Sequence, residues 1–396
     1  MFLYTKRLRL SVRSLGTLFL LWSAFVHAER ARDWGIPFGG KPGSQNAITD
    51  VQGVWVGHCT LIEGSGDLHV GKGPIRTGVT AILPSGKAFR PVFAACDTLN
   101  GNGEMTGTTW VNESGFLEEP LLLTNTHSVG NVYEAVIHWR RQARYHDLAD
   151  PFGWASLPVV AETWDGRLND IHGHHIRQEH VFKALNSARS GAVDEGNVGG
   201  GTGMVCHRFK GGIGTSSRVM KNGYTLGVLV QANYGKRENL TIAGIRLGER
   251  IAGSEMIMNG LEPQASGHSI IVIIATDAPL LPHQLKRIAR RSSLGIGRTG
   301  GFGANSSGDL FLAFSTFQIG KTSDKGLSQV SMLSNSQLDA FFLATIQCVE
   351  ESVINAMVAA ETMVGINGNT VFQLPKEQVI RILDRHEIIE QSRERP

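Results

Sequence analysis

The sequence predicts a layered α/β fold, with sheets covered by helices, and not a doubly wound parallel sheet. Three observations lead there. Short continuous apolar runs rich in β-branched residues recur from Ile48 onward, as expected for strands covered on both faces. Amphipathic helical stripes stand among them. The two kinds of segment mix without a regular strand–helix–strand repeat. Gly contributes 48 of the 396 residues, about 12% against roughly 7% in an average protein, and Gly-rich turns separate the apolar runs. A hydrophobic content of 41% is enough for a large core. No G-X-Y period, polar low-complexity block or heptad run is present, which excludes collagen-like, disordered and coiled-coil classes.

The predicted strands are 51–56, 79–83, 91–95, 157–161, 225–232, 270–275 and 310–314. Val129, Val132, Val136 and Trp139 recur at helical spacing, and 180–188 forms a shorter amphipathic set. Leu281, Leu285, Ile288 and Ala289 stripe a helix whose other face carries Lys286, Arg287, Arg290 and Arg291. The longest predicted helix runs over 336–363, with Leu338, Phe342, Ile346, Val349, Val353 and Met357 on one face. Residues 376–386 form another. A polar stretch, 260–268, runs straight into the most apolar strand of the chain, which starts at Ser269.

Residues 1–28 read as a secretory signal peptide. Lys6, Arg7, Arg9 and Arg13 form a basic start, Leu15 to Phe25 an apolar stretch, and Val26-His27-Ala28 a small-residue cleavage site. The apolar stretch falls short of the roughly 20 residues that span a membrane. A periplasmic location is expected. The whole chain carries +3, and removing these four basic residues leaves −1, so no nucleic-acid or membrane partner is implied. Cys59, Cys96, Cys206 and Cys348 are too scattered for a metal or redox motif and are expected to be buried thiols.

Several motifs invite chemistry. Gly295-Ile-Gly297-Arg-Thr-Gly300 matches G-x-G-x-x-G, but it follows a helix and not a strand, so a helix-terminal loop is the better reading. Asp170, His172, His174, His175 and His180 suggest a metal cluster without a supporting partner motif, and a polar loop is favoured. Eight Gly between 196 and 214 fit either a backbone-lined substrate cleft or turns packed beneath the sheets, and composition leaves both open. Cys206 and His207, adjacent in a strand, would face opposite ways and form no dyad. A G-x-S-x-G elbow is missing from the sequence. Ser269 is the more interesting nucleophile. A cut before it would free an α-amine with a pKa of roughly 7.7–8.0, a general base on the same residue as the hydroxyl.

Taken together, the strings RARDWGIPFGGKPGSQNAITDV, ETWDGRLNDIHGHH, EGNVGGGTGM, KGGIGTSSR, LGVLVQAN, SIIVIIATDAPLLPHQLKRIARR, NSSGDLFLAFST and AAETMVGINGN resemble the DmpA/BapA-type self-cleaving aminopeptidases. That family comprises L-aminopeptidase/D-esterases and β-peptidyl aminopeptidases. The resemblance spans nearly all of 29–396. It implies a four-layered αββα sandwich of the N-terminal-nucleophile type, one catalytic domain made of a large chain, 29–268, and a small chain, 269–396. It implies self-cleavage between His268 and Ser269, and homo-oligomers of the cleaved heterodimer. Ser307 and Asp309 match a pair that orients protons around the nucleophile, and Asn233 matches an oxyanion donor. Glu162 matches an acid that binds the substrate ammonium, and Trp164 lies at a variable pocket position. No cofactor or metal is implied. Short peptides, amides or esters with a free amine, including β-amino-acid peptides, are the expected substrates. The residue before the cut departs from the pattern: His268 stands where Gly or Asn is expected, and Gly or Asn tolerates strained backbone better. A related acyltransferase and a periplasmic ligand-binding protein are the alternative readings.

Overall fold

The computed structural model describes residues 29–88, 90–143, 157–260, 268–318 and 326–388; the predicted signal peptide lies outside them. In chain order the first elements are β1 (Trp55–Glu63), β2 (Ile75–Lys87), β3 (Val92–Gly101), α1 (Thr108–Ser114), β4 (Phe116–Leu117), β5 (Leu121–Asn125), α2 (Val129–Ala143) and β6 (Val159–Thr163). Next come α3 (Gln178–Ser187), β7 (Val205–Cys206), β8 (Phe209–Lys210), β9 (Gly212–Val219), β10 (Thr225–Asn233), β11 (Thr241–Ile242) and β12 (Ile245–Arg246). The last are β13 (His268–Thr276), α4 (Pro282–Arg290), α5 (Ser292–Arg298), β14 (Ser307–Ser315), α6 (Leu338–Val358), β15 (Met363–Val364), β16 (Thr370–Val371) and α7 (Lys376–Arg385).

Two sheets carry the architecture. One has the order β1-β2-β5-β6, the other β4-β3-β14-β13-β10-β9. Side chains on a strand alternate between faces, so a strand buried on both faces feeds two cores. In β13, Ile270, Val272 and Ile274 enter the core beneath α4, α5 and α6. Ile271, Ile273 and Ala275 enter the core between the sheets. In the smaller sheet, Leu121, Leu123, Val159 and Ala161 face that inter-sheet core, while Leu122 and Val160 face α2 and α3. The stack is therefore helix, sheet, sheet, helix, the predicted αββα order.

Local departures from the expected elements have physical causes. Residues 51–54 are not strand: Val51 and Val54 are buried from a turn after a short 3-10 helix, and β1 starts at Trp55. The sequence GIGTSSRV of β9 carries little apolar signal, yet β10 pairs along its whole length. Gly295 and Gly297 lie inside α5 and not in a loop. A Cβ at Gly295 would come 2.6 Å from Val349 Cβ, so close packing of α5 on α6 explains that glycine. The predicted stripe of α6 is only partly right. Phe342 and Ile346 are half-buried, whereas Phe341, Thr345 and Cys348 point inward. From Glu351 to Val358 every residue is buried, because β9 and the N-terminal segment enclose that half of the helix. The four cysteines are buried and free.

Candidate active site

The site forms where the apolar run of β13 begins. The run holds β13 in the centre of the six-stranded sheet, and its polar first residues therefore sit between two neighbours. Antiparallel β10 sets Asn233 opposite Ser269. Parallel β14 sets Ser307 opposite His268 and Gly308 opposite Ser269. Three distant stretches of sequence thus converge, and Ser269, Asn233, Ser307 and Asp309 are all buried.

Ser269 Oγ accepts a hydrogen bond from the Gly308 amide at 3.2 Å. Ser307 and Asp309 share a face of β14, and Ser307 Oγ donates to Asp309 Oδ1 at 2.6 Å. Burial pushes the Asp309 carboxyl up to about 6, against the pull of that hydrogen bond. The Asn233 amide is oriented at both ends. Its Oδ1 accepts from the Val205 amide at 2.7 Å, and its Nδ2 donates to the Trp164 carbonyl at 2.9 Å.

Glu162 is the last but one residue of β6 in the facing sheet. Its carboxylate accepts from the Glu104 amide at 3.0 Å and from the Thr126 hydroxyl. Burial raises its pKa and these bonds oppose the rise. A Gly–Gly contact links its surroundings to those of Ser269. A Cβ on Gly103 would lie 3.3 Å from Glu162 Oε1 and 3.0 Å from Gly308 Cα. The backbones of Gly308 and Gly103, packed on each other, thus lie between the Ser269 hydroxyl and the acid. Half-buried Trp164 supplies the carbonyl that holds Asn233, and its indole stacks under the Arg167 guanidinium at 5.4 Å.

His268 is half-buried and opens β13 in extended conformation. It does not adopt the left-handed geometry that favours Gly, unlike His174 and His207. The left-handed strain considered for this position is thus not present, because pairing with Ser307 draws His268 into the sheet. Burial, with Arg167, Arg208 and Lys236 nearby, lowers the His268 pKa to about 4. A pocket beside it is lined by Tyr234, Lys236, Phe302, Ser307 and Asp309.

The other candidate motifs lie elsewhere. His175 Nε2 stands 2.9 Å from Asp170 Oδ2, and the His172 ring packs on His127 at 4.9 Å. Among the described residues no three His, Cys, Asp or Glu side chains converge as a metal site. Strand β7 ends at Cys206, and His207 turns away with a positive φ to bond the Lys236 carbonyl through Nδ1. Burial pushes the Cys206 thiol up to about 12, far from a reactive thiolate. The Gly-rich stretch is not a substrate cleft. Gly199–Gly201 is a 3-10 turn wedged between the sheets, and Cβ atoms on Gly196, Gly201 and Gly203 would strike protein backbone. Sequence reasoning passed over Gly308, Gly103, Thr126 and the Val205 amide. Gly308 lay within NSSGDL, but its role depends on a contact across 205 residues that no local pattern reveals.

This geometry has a counterpart in known proteins. The peptidase family S58 pattern matches residues 46–371. The chain belongs to peptidase family S58. It is 48% identical over 388 residues to the β-peptidyl aminopeptidase BapA of Sphingosinicella microcystinivorans, covering 94% of this chain and 96% of that one. Its structure resembles the L-aminopeptidase D-Ala-esterase/amidase of Ochrobactrum anthropi, described as a variant of the Ntn hydrolase fold. The TM-score is 0.84 at 45% identity, covering 91% of this chain and 99% of that one. A Burkholderia sp. β-aminopeptidase matches with a TM-score of 0.81 at 45% identity, covering 93% and 100%. The S58 chain is accordingly a hydrolase of the aminopeptidase type with an Ntn-hydrolase fold, acting on peptides.

Proposed function

We propose that this S58 member is a self-cleaving serine aminopeptidase in which Ser269 is both the processing residue and the nucleophile. The observation that carries the reading is the convergence at the head of β13, with the Ser269 hydroxyl on the Gly308 amide and Asn233 directly opposite. In processing, Ser269 Oγ attacks the His268 carbonyl carbon, and the peptide nitrogen leaves with a proton as the ester forms. Water then cleaves the ester, leaving a carboxylate at His268 and a free α-amine on Ser269. Chains 29–268 and 269–396 stay together because β13 remains paired with β10 of the larger chain.

In turnover the freed amine accepts the Oγ proton as Ser269 attacks the first carbonyl of the substrate. Asn233, its carboxamide held by the Val205 amide and the Trp164 carbonyl, donates from Nδ2 to the oxyanion. Loss of such a donor costs on the order of 10²–10³ in kcat. Glu162 fixes the substrate ammonium, which restricts release to the N-terminal residue, and Ser307 with Asp309 steers protons around the nucleophile. The names of the relatives support β-amino-acid peptides among the substrates. Export to the periplasm through residues 1–28, and association of cleaved heterodimers, complete the proposal. The test is an intact-mass measurement beside a denaturing gel. Wild type should give two chains meeting at 268/269, and Ser269→Ala one inactive chain. A fully active uncut chain would overturn the reading.

A further inference from the structure

Lys210 is a buried cation close behind Asn233 that the mechanism above leaves unused. It is fully buried in β8, and among the described residues its ammonium donates to three backbone carbonyls: Met204 at 2.7 Å, Gly211 at 2.8 Å and Gly201 at 3.5 Å. Burying a cation without a carboxylate partner is costly, and burial lowers its pKa to about 7, with Cys206 and Asp165 opposing the fall. A hydrophobic residue would fill this position at lower cost, so the ammonium calls for an explanation.

The Met204 carbonyl belongs to the same peptide unit as the Val205 amide. That amide donates to Asn233 Oδ1 at 2.7 Å. A trans peptide directs its C=O and N–H in opposite directions, so a continuous chain results. It runs from Lys210 Nζ through the 204–205 peptide to the Asn233 carboxamide. Hydrogen bonds in series polarise one another, and a charged head strengthens the first of them. Pairing of Val205 with Lys210 across β7 and β8 holds the chain in register.

We propose that Lys210 is a positioning residue that orients and polarises Asn233 as an oxyanion donor, acting through the 204–205 peptide. The proposal rests on the oxyanion role given to Asn233 above. Lys210 touches no reacting atom. Its effect falls on the transition state, where the donated hydrogen bond strengthens, and not on ground-state binding.

The test is a double-mutant cycle on the full chain, with Lys210→Met, Asn233→Ala and the double variant assayed on an aminoacyl p-nitroanilide. Lys210→Met should lower kcat roughly tenfold, a part of the 10²–10³ expected of Asn233→Ala, with KM changed less than twofold. In the Asn233→Ala background, Lys210→Met should lower kcat no further. Additive losses, or a loss confined to KM, would overturn the positioning role. Should Asn233→Ala itself leave kcat unchanged, the oxyanion reading fails first, and the two failures are distinguishable. Circular dichroism and sedimentation check folding. If the Met variant is insoluble, Lys210→Gln, which keeps a donor without the charge, enters the same cycle with the same expected direction and the same refuting results.

Discussion

Gly308→Ala tests the geometry of the site more sharply than removal of any charged group, because it adds one methyl and no chemistry. The Cβ it introduces would lie 2.6 Å from the Asn102 carbonyl oxygen and 2.8 Å from Gly103 Cα, both backbone. Restoring an ordinary contact of roughly 3.5 Å requires the head of β14 and the 102–103 turn to part by about 0.9 Å. Overpacking of this kind costs about 1–3 kcal/mol. The catalytic penalty should be larger in proportion. The Gly308 amide holds the Ser269 hydroxyl on one side, and Gly103 backs the Glu162 carboxylate on the other. A displacement near 1 Å can cost about 10²-fold in rate. The expected result is thus a folded, two-chain protein with kcat/KM down about 10²-fold and a lowered midpoint in urea. Gly297→Ala is the control: it lies in α5, and no atom stands within 4 Å of its added Cβ. That variant should keep its rate and unfold no earlier. A Gly308→Ala enzyme with kcat/KM within twofold of wild type would refute the reasoning.

The self-cleavage rate of freshly refolded precursor should rise with pH through about 6. Ionised Asp309 accepts from Ser307 more strongly than the neutral acid does, and burial holds its proton to about that pH; a rate flat from pH 5 to 7 would count against it. The same shift has the opposite sign for stability. Its contribution is present below the ordinary carboxyl pKa and is lost as pH rises through about 6. Glu351 in α6 should behave conversely. Burial alone would raise its pKa, but Arg32 and Arg218 hold it below the ordinary range, through bonds of 2.7 and 2.6 Å. Its contribution is present above the ordinary pKa and lost as pH falls through the depressed one. Glu351→Ala leaves two cations uncompensated, one of them buried, and should cost about 3–5 kcal/mol in chemical denaturation. Glu162→Gln should raise KM for free-amine substrates and spare N-acylated ones, and equal losses on both would remove its ammonium role. His268→Gly should change the self-cleavage rate little, since position 268 needs no left-handed backbone; a large acceleration on the gel would show hidden strain.

What could be read from the sequence was what local physics controls. The run from Ile270 to Ala275 had to be a strand buried on both faces, and the stripes at 129–139, 281–289 and 376–386 had to be helices. Each of these forms. Ser269 stood out because a polar loop met an apolar strand there. Other elements depended on partners. Strand β9, rich in Gly, Ser and Thr, exists because β10 pairs along it, and position 295 of α5 is a glycine because α6 lies against it. The assignments of Asn233, Ser307, Asp309 and Glu162 came from family resemblance, since no spacing ties residues so far apart.

The sequence by itself thus determined that strands buried on both faces would pack in layers with helices, because continuous apolar runs and amphipathic stripes must both be covered. The tertiary structure alone decided the site. Sheet register set Asn233 and Gly308 against Ser269. Contact between two glycines drew Glu162 close. Folding of β7 on β8 placed Lys210 behind the peptide that holds Asn233. Register and backbone contact arise only when distant segments meet, and no window along the chain contains them.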